Sequence, residues 1–170
     1  MKRSKPVSLF IGRFQPFHRG HLSALRWIAA RSSKVIVAIG SADKGYEPEN
    51  PFTSSERIRM VRGQLKDAGL LKKCLIAQVT DVNDNNRWVQ HVDANVPKYD
   101  MAYSNNALVK RLMRKAGREV GAIPFFKRAV YDATKIRGRM RQGREWQARV
   151  PRKVLFVLKR MKAEERVRGL

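Results

Sequence analysis

Short apolar runs alternate along this chain with longer stretches in which apolar residues recur every three or four positions. Residues 7–11, 35–39, 75–79 and 101–103 read as strands buried on both faces, with 120–123 a weaker fifth. Between them, Leu22, Leu25, Ile28 and Ala29 form one helical stripe, and Ile58, Val61, Leu65 and Ala68 form another. The second stripe carries a start signal, because Thr53 with Glu56 three residues on matches a capping box. Trp88, Val89, Val92 and Val96 predict a third helix; Leu108, Val109, Leu112, Met113 and Ala116 predict a fourth that stops near Gly117. A short helical pattern around Ile136 and Met140 follows, then one from Pro151 that carries Val154, Leu155, Leu158 and Met161. This alternation predicts an α/β fold: an open parallel sheet with helices on both faces. Neither linker nor repeat interrupts it, so a single domain over 1–170 is expected, with the helical segment 134–170 packed on it. The tail with Lys162, Glu164, Glu165, Arg166 and Arg168 reads as a solvated helix end that frays.

Composition adds constraints. With 43% hydrophobic residues in a 170-residue chain, there is enough apolar material for one core, so a disordered chain is excluded. No apolar run approaches the roughly 20 residues of a membrane-spanning helix, and the N-terminus lacks a cleavage-site pattern, so no membrane association and a cytoplasmic location are expected. Cys74, the single cysteine, rules out an internal disulfide and reads as core. The net charge of +23 sets up a field that attracts polyanions without specifying which: nucleic acid, an anionic membrane face or phosphorylated small molecules.

The chemistry concentrates where strands end. Ligands of open parallel sheets bind beyond the carboxyl ends of the strands, and two strands here run into glycine, Gly12 and Gly40. Directly after Gly12 come Arg13, His18, Arg19 and His21, as the chain enters its first helix. Helix-start amides already favour phosphate; His18 and His21, three apart, point the same way, and Gly20 leaves room for phosphate oxygens. Either histidine taken singly is explained by capping or surface exposure. Together with Gly12 and Arg13 they outline an anion site. Metal ligation by the pair lacks support, since His91 is the one other histidine and no cysteine cluster completes a site.

The stretch Gly12-Arg13-Phe14-Gln15-Pro16-Phe17-His18-Arg19-Gly20-His21 resembles the signature of nucleotidyltransferases with an H-x-G-H motif, specifically archaeal-type nicotinamide-nucleotide adenylyltransferases. The similarity continues in order through Ile39-Gly40-Ser41-Ala42, Asn50-Pro51-Phe52-Thr53 with Glu56-Arg57, Asp81 through Asn85 to Trp88, Tyr103-Ser104-Asn105-Asn106, Thr134 to Met140, Trp146 and Val150-Pro151. H-x-G-H alone also fits phosphopantetheine, glycerol-phosphate or flavin nucleotidyltransferases; the Asn-Pro-Phe-Thr and Asn85/Trp88 segments favour the nicotinamide branch.

The resemblance implies a Rossmann-like fold of nucleotidyltransferase type. It also implies attack of the NMN phosphate on the α-phosphorus of ATP, giving NAD and pyrophosphate with a divalent cation, usually Mg2+, and no covalent intermediate. Relatives of this kind commonly assemble, so a homo-oligomer is expected. By the same resemblance His18, His21, Arg13 and Arg137 are the catalytic groups, and Gly12, Phe14, Gly20 and Thr134 join them in holding ATP. Gly40, Ser41, Asp81, Asn85 and Trp88 hold NMN, with Trp88 stacked on the nicotinamide; without the resemblance, Trp88 would read as core. Trp27 and Trp146 are left to packing. No protein ligand to the metal is assigned. The loop 43–48 and the pair Asp132-Ala133 depart from the family pattern, and an acidic Asp132 beside a triphosphate would repel it unless turned away or used on a metal. A nucleic-acid-binding protein remains a separate reading, resting on the +23 charge and the basic run 137–144.

Overall fold

The computed structural model describes residues 4–170; residues 1–3, part of the N-terminal stretch read above for a leader, lie outside the described residues. Five parallel strands, β1 (Val7–Gly12), β2 (Lys34–Ile39), β3 (Cys74–Gln78), β4 (Met101–Tyr103) and β5 (Val120–Gly121), pair in the order β3-β2-β1-β4-β5. Helices α1 (Arg19–Arg31), α2 (Ser54–Asp67), α3 (Trp88–Asn95) and α4 (Ala107–Lys115) connect them, and α5 (Ala133–Arg141), a short 3-10 turn (Gln147–Arg149), α6 (Arg152–Arg160) and α7 (Ala163–Gly169) follow. This is the expected α/β sheet covered on both sides.

Alternating residues of the central strands supply the two faces. Phe10, Val35, Val37 and Ile39 point to one side, where α1, α2, α5, α6 and α7 bury Leu25, Ile28, Met60, Leu65, Ile136, Met140, Leu158 and Val167 against them. Leu9, Ile36, Ala38 and Ala102 point to the other, against Val89 and Val92 of α3 and Met113 of α4. The Thr53/Glu56 capping box forms as read, with Glu56 N donating to Thr53 Oγ1 at 3.4 Å and Thr53 N donating to Glu56 at 2.9 Å. Gly117 sits just past α4 with φ 71°, the left-handed conformation of a helix stop.

Four expectations are corrected. β3 is not buried on both faces: it is one of the two edge strands of the sheet, and Leu75 is 45% exposed there. Cys74 is therefore half-buried rather than core, although desolvation still pushes its thiol up to about 11. The tail after Met161 does not fray. Lys162 adopts a left-handed conformation (φ 53°) that turns the chain from α6 into α7, and Ala163 and Val167, four residues apart, are both buried. Arg166 reaches back to Glu56 at 2.8 Å and to the Pro51 carbonyl at 3.2 Å, which ties α7 to the start of α2. The fifth strand is also shorter than read, two residues long. Trp146 is core, and Trp27 is half-buried with its ring edge-on to Tyr103 at 5.5 Å.

If α7 is docked as described, Val167→Ala leaves a cavity and lowers unfolding stability by about 2 kcal/mol. Denaturant unfolding checks this; no change would mean a solvated tail.

Candidate active site

After β1 the chain runs through α1 to β2 on one side, then crosses back to place β4 on β1's other side. The connections therefore diverge above β1 and β4, the position where open sheets accept ligands. Two cavities of about 280 Å³ each open there and share Ile11, Gly12, Ser104 and Asn106 as a common wall. The first is lined by Gly12, Phe14, His18, Gly20, His21, Arg128, Tyr131 and Asp132; the second by Arg13, Gly40, Ser41, Thr80, Asp81 and Trp88.

His18 and His21 form a reciprocal cap at the start of α1. His21 N donates to His18 Nδ1 at 3.2 Å, His18 N donates to His21 Nδ1 at 3.2 Å, and the rings stack with centroids 3.5 Å apart. Because each Nδ1 accepts a backbone N–H, each neutral ring must carry its proton on Nε2, leaving Nε2–H as a free donor. Burial keeps the rings neutral: it pushes His18 down to about 4 against a smaller upward pull from Asp132, and drives His21 well below its ordinary value, with His18 adding to the effect. Aromatic neighbours supply the desolvation, the Phe14 ring lying edge-on to His21 at 4.9 Å and Phe17 at 5.4 Å.

The glycines differ in how much they are needed. A Cβ on Gly12 would meet the Phe14 ring at 3.0 Å, and one on Gly20 would meet the His18 ring and Tyr131 at 3.1 Å. At Gly40 the same atom would find ordinary contacts at 3.8 Å, so that residue is set by the ligand side of the loop or by nothing in the packing. In the second cavity Ser41 donates to Asp81 at 2.8 Å, and Asp81 N in turn donates to Asp43.

Several expected residues stand elsewhere. Arg13 is exposed and reaches Asn50 at 3.5 Å on the rim of the second cavity. Asn85 is exposed and lines neither cavity. Arg137 is 1% exposed and also lines neither; it donates to the Gln15 carbonyl at 2.9 Å, to Glu49 at 2.7 Å and to Thr134 Oγ1 at 3.4 Å. Asp132 lies in the first cavity as the N-cap of α5, where one oxygen accepts from Lys135 N at 2.9 Å.

Sequence reasoning passed over Arg57 as anything more than part of a match. It is 0% exposed and donates to the carbonyls of Arg13 (2.8 Å), Gly40 (2.7 Å) and Ser41 (2.8 Å), fixing the two strand-end loops to each other; burial lowers it to about 10. Its signal was visible: Arg57, Met60, Val61 and Gln64 share one face of α2, and a cation on a buried face must find carbonyls or carboxylates.

Known proteins with related sequences bear on this geometry. The cytidylyltransferase-like family matches residues 9–139. Nicotinamide-nucleotide adenylyltransferase of Thermococcus onnurineus is 40% identical over 162 residues, covering 95% of this chain and 87% of the relative. The chain belongs to this adenylyltransferase family. The enzyme of that name from Methanolobus tindarius is 39% identical, across 96% of this chain and 93% of its own length. The fold agrees with a crystal structure of a bifunctional NMN adenylyltransferase/ADP ribose pyrophosphatase from Francisella tularensis, complexed with AMP and a Mn ion (TM-score 0.78, 23% identity). That likeness covers 96% of this chain but 52% of the bifunctional protein. A further structure, a putative nicotinate-nucleotide adenylyltransferase from Vibrio parahaemolyticus, aligns at TM-score 0.62 and 16% identity, over 89% of this chain and 97% of that one. Among the described residues no helix is long and apolar enough to cross a membrane.

The neutral histidines make stability depend on pH in a defined direction. The unfolded chain binds a proton on His18 near pH 6.5 and the folded chain near 4, so between these values the unfolded state holds more protons and stability falls as the pH falls. The loss is at most about 3 kcal/mol for this group. In His18→Asn, whose side-chain oxygen can still accept from His21 N, thermal unfolding across that range should depend less steeply on pH; an unchanged slope would contradict a buried neutral His18.

Proposed function

We propose that this adenylyltransferase joins ATP and NMN in line, the triphosphate lying in the first cavity and NMN in the second. The observation that carries the reading is the shared wall at Gly12: two neighbouring cavities, one furnished with imidazole donors and the other with an aromatic and polar set, meet over a residue without a side chain. An oxygen of the NMN phosphate then attacks the α-phosphorus as the bond to the bridging oxygen breaks, and pyrophosphate leaves. The nucleophile is already an anion and the leaving group is stable, so no general base is required.

The chain's part is alignment and charge stabilisation. His18 and His21 direct Nε2–H at the triphosphate, where their donors strengthen as charge develops on the leaving oxygens. Arg13 neutralises phosphates at the junction, and Arg137 with Thr134, behind the lining of the first cavity, serves the β- and γ-phosphates that extend beyond it. Phe14 and Gly20 shape the first cavity. Gly40, Ser41 and Asp81 position NMN within the second cavity, Asn85 meets it from outside that lining, and Trp88 stacks on its base.

The reaction uses a divalent cation, Mg2+ by preference, which supplies further charge neutralisation on the phosphate oxygens. No group of three His, Cys, Asp or Glu suited to a metal occurs among the described residues. An Mg2+ ion that arrives with the triphosphate keeps most of its water and needs few protein ligands.

Incubation of the protein with ATP, Mg2+ and NMN should release NAD; a folded sample without product would refute the reading. His21→Ala should slow turnover about a hundredfold, the cost of one lost transition-state donor. Trp88→Ala should raise the KM for NMN roughly tenfold while sparing kcat. An unchanged KM would point to another acceptor, such as phosphopantetheine or a flavin nucleotide.

A further inference from the structure

Arg137 is the better fixed partner of its ion pair. Its guanidinium is 1% exposed and held by the Gln15 carbonyl and Thr134 Oγ1, whereas the Glu49 side chain that meets it at 2.7 Å is 62% exposed. Arg137 Nε is buried and, among the described residues, meets no acceptor, so the guanidinium's donors are not all used. Burial lowers its proton affinity first of all; Glu49 supports it, and two further nearby cations, Arg13 and Arg141, press it down as well. Those two hold the loop that carries Glu49: Arg141 donates to the Pro48 carbonyl at 2.7 Å and Arg13 to Asn50 at 3.5 Å. Three guanidiniums thus face one segment, residues 48–50, and Glu49 brings it a full negative charge. Arg137 backs onto the first cavity, because the Gln15 carbonyl that it holds directly follows Phe14, which lines that cavity together with Asp132.

A carboxylate offers a guanidinium two oxygens in one plane, the same shape as the edge of a phosphate. It is mobile where it is exposed and weakly held where water competes. Resting on the reading above that Arg137 serves the β- and γ-phosphates, we infer that Glu49 is an internal stand-in for polyphosphate. The triphosphate displaces it on binding, and it returns to Arg137 as pyrophosphate leaves. Glu49 therefore sets polyphosphate affinity: it lowers the affinity for ATP, and in exchange it keeps the product from being retained on a triple-arginine cluster.

The test is binding of inorganic tripolyphosphate to the full-length protein by calorimetry at low salt, which needs no turnover. Glu49→Gln keeps the shape and removes the charge, and should tighten binding about three- to tenfold, the range for one partly screened charge-assisted contact. The gain should vanish when Arg137→Gln is added, and in steady state the KM for ATP should fall in Glu49→Gln. Affinity unchanged within about twofold, or a gain that persists without Arg137 and so reflects net charge alone, overturns the proposal. Glu49→Ala repeats the measurement with a second substitution at the same exposed site. Tighter tripolyphosphate binding in a protein that makes no NAD would support the role of Glu49 and refute the acceptor assigned above; NAD formation with unaltered tripolyphosphate binding would do the reverse.

Discussion

The exchange of backbone N–H for ring nitrogen between His18 and His21 is the interaction on which the site depends. It satisfies two of the four amides that every helix start leaves without intrahelical partners, and so belongs to folding. It also consumes both Nδ1 atoms, which leaves Nε2–H as the one polar edge each ring can offer, and so belongs to chemistry. Most capping boxes use a hydroxyl and a carboxylate, as Thr53 and Glu56 do in α2 of this protein. Replacing both with imidazoles turns a local folding device into a pair of stacked neutral donors at the positive end of a helix dipole. Burial among Phe10, Phe14 and Phe17 guards that neutrality, and it adds strength to hydrogen bonds made there because competing water is excluded.

The arginines divide into two kinds of work. Arg57 spends its donors on the carbonyls of Arg13, Gly40 and Ser41, so it is committed to holding the loops at the ends of β1 and β2 in one relative position. Arg137 is held by the Gln15 carbonyl and Thr134 Oγ1 and meets one exposed carboxylate, so part of its capacity can be exchanged. Gln15 joins these systems, since its side chain bonds both ways with the Phe52 backbone while its own carbonyl takes the Arg137 donor. The segment after β1, the start of α2 and the start of α5 are thereby tied together behind the first cavity.

Most of the fold was legible because burial leaves its mark on periodicity. The first four strand runs and the stripes on α1, α2, α3 and α4 fell within a residue of where the structure puts them, since each needs only its own residues to be recognised. β3 was read as doubly buried because an edge position is a property of strand order, which Leu75 and Cys74 do not encode. The tail was misread because Ala163 and Val167 make a stripe of just two small residues among seven, and their burial depends on α5 and α6 being present first. Within the site, the glycine and histidine spacing was readable because it is local. The Arg13, Gly40 and Ser41 carbonyls that hold Arg57, and the Gln15 carbonyl and Glu49 carboxylate that meet Arg137, were not, because they come from segments 16 to 122 positions away.

Asp132 shows how these local devices combine. A carboxylate lining a cavity for a triphosphate would be repulsive if it stood alone. Here one oxygen accepts from Lys135 N at the positive end of α5, so part of its charge is spent on the helix it begins. Arg128 lines the same cavity and the imidazoles are uncharged, which leaves the lining nearly balanced in formal charge. A triphosphate bound as proposed would then draw its attraction from outside that lining, from Arg13, Arg137 and Arg141 on the neighbouring loop face and from the +23 charge of the whole chain. On the proposed reading, capture and alignment fall to different groups: long-range charge would concentrate phosphates, and neutral, geometrically fixed donors would orient them. A site built in that way can hold a reacting phosphate in line without gripping it so tightly that the product stays.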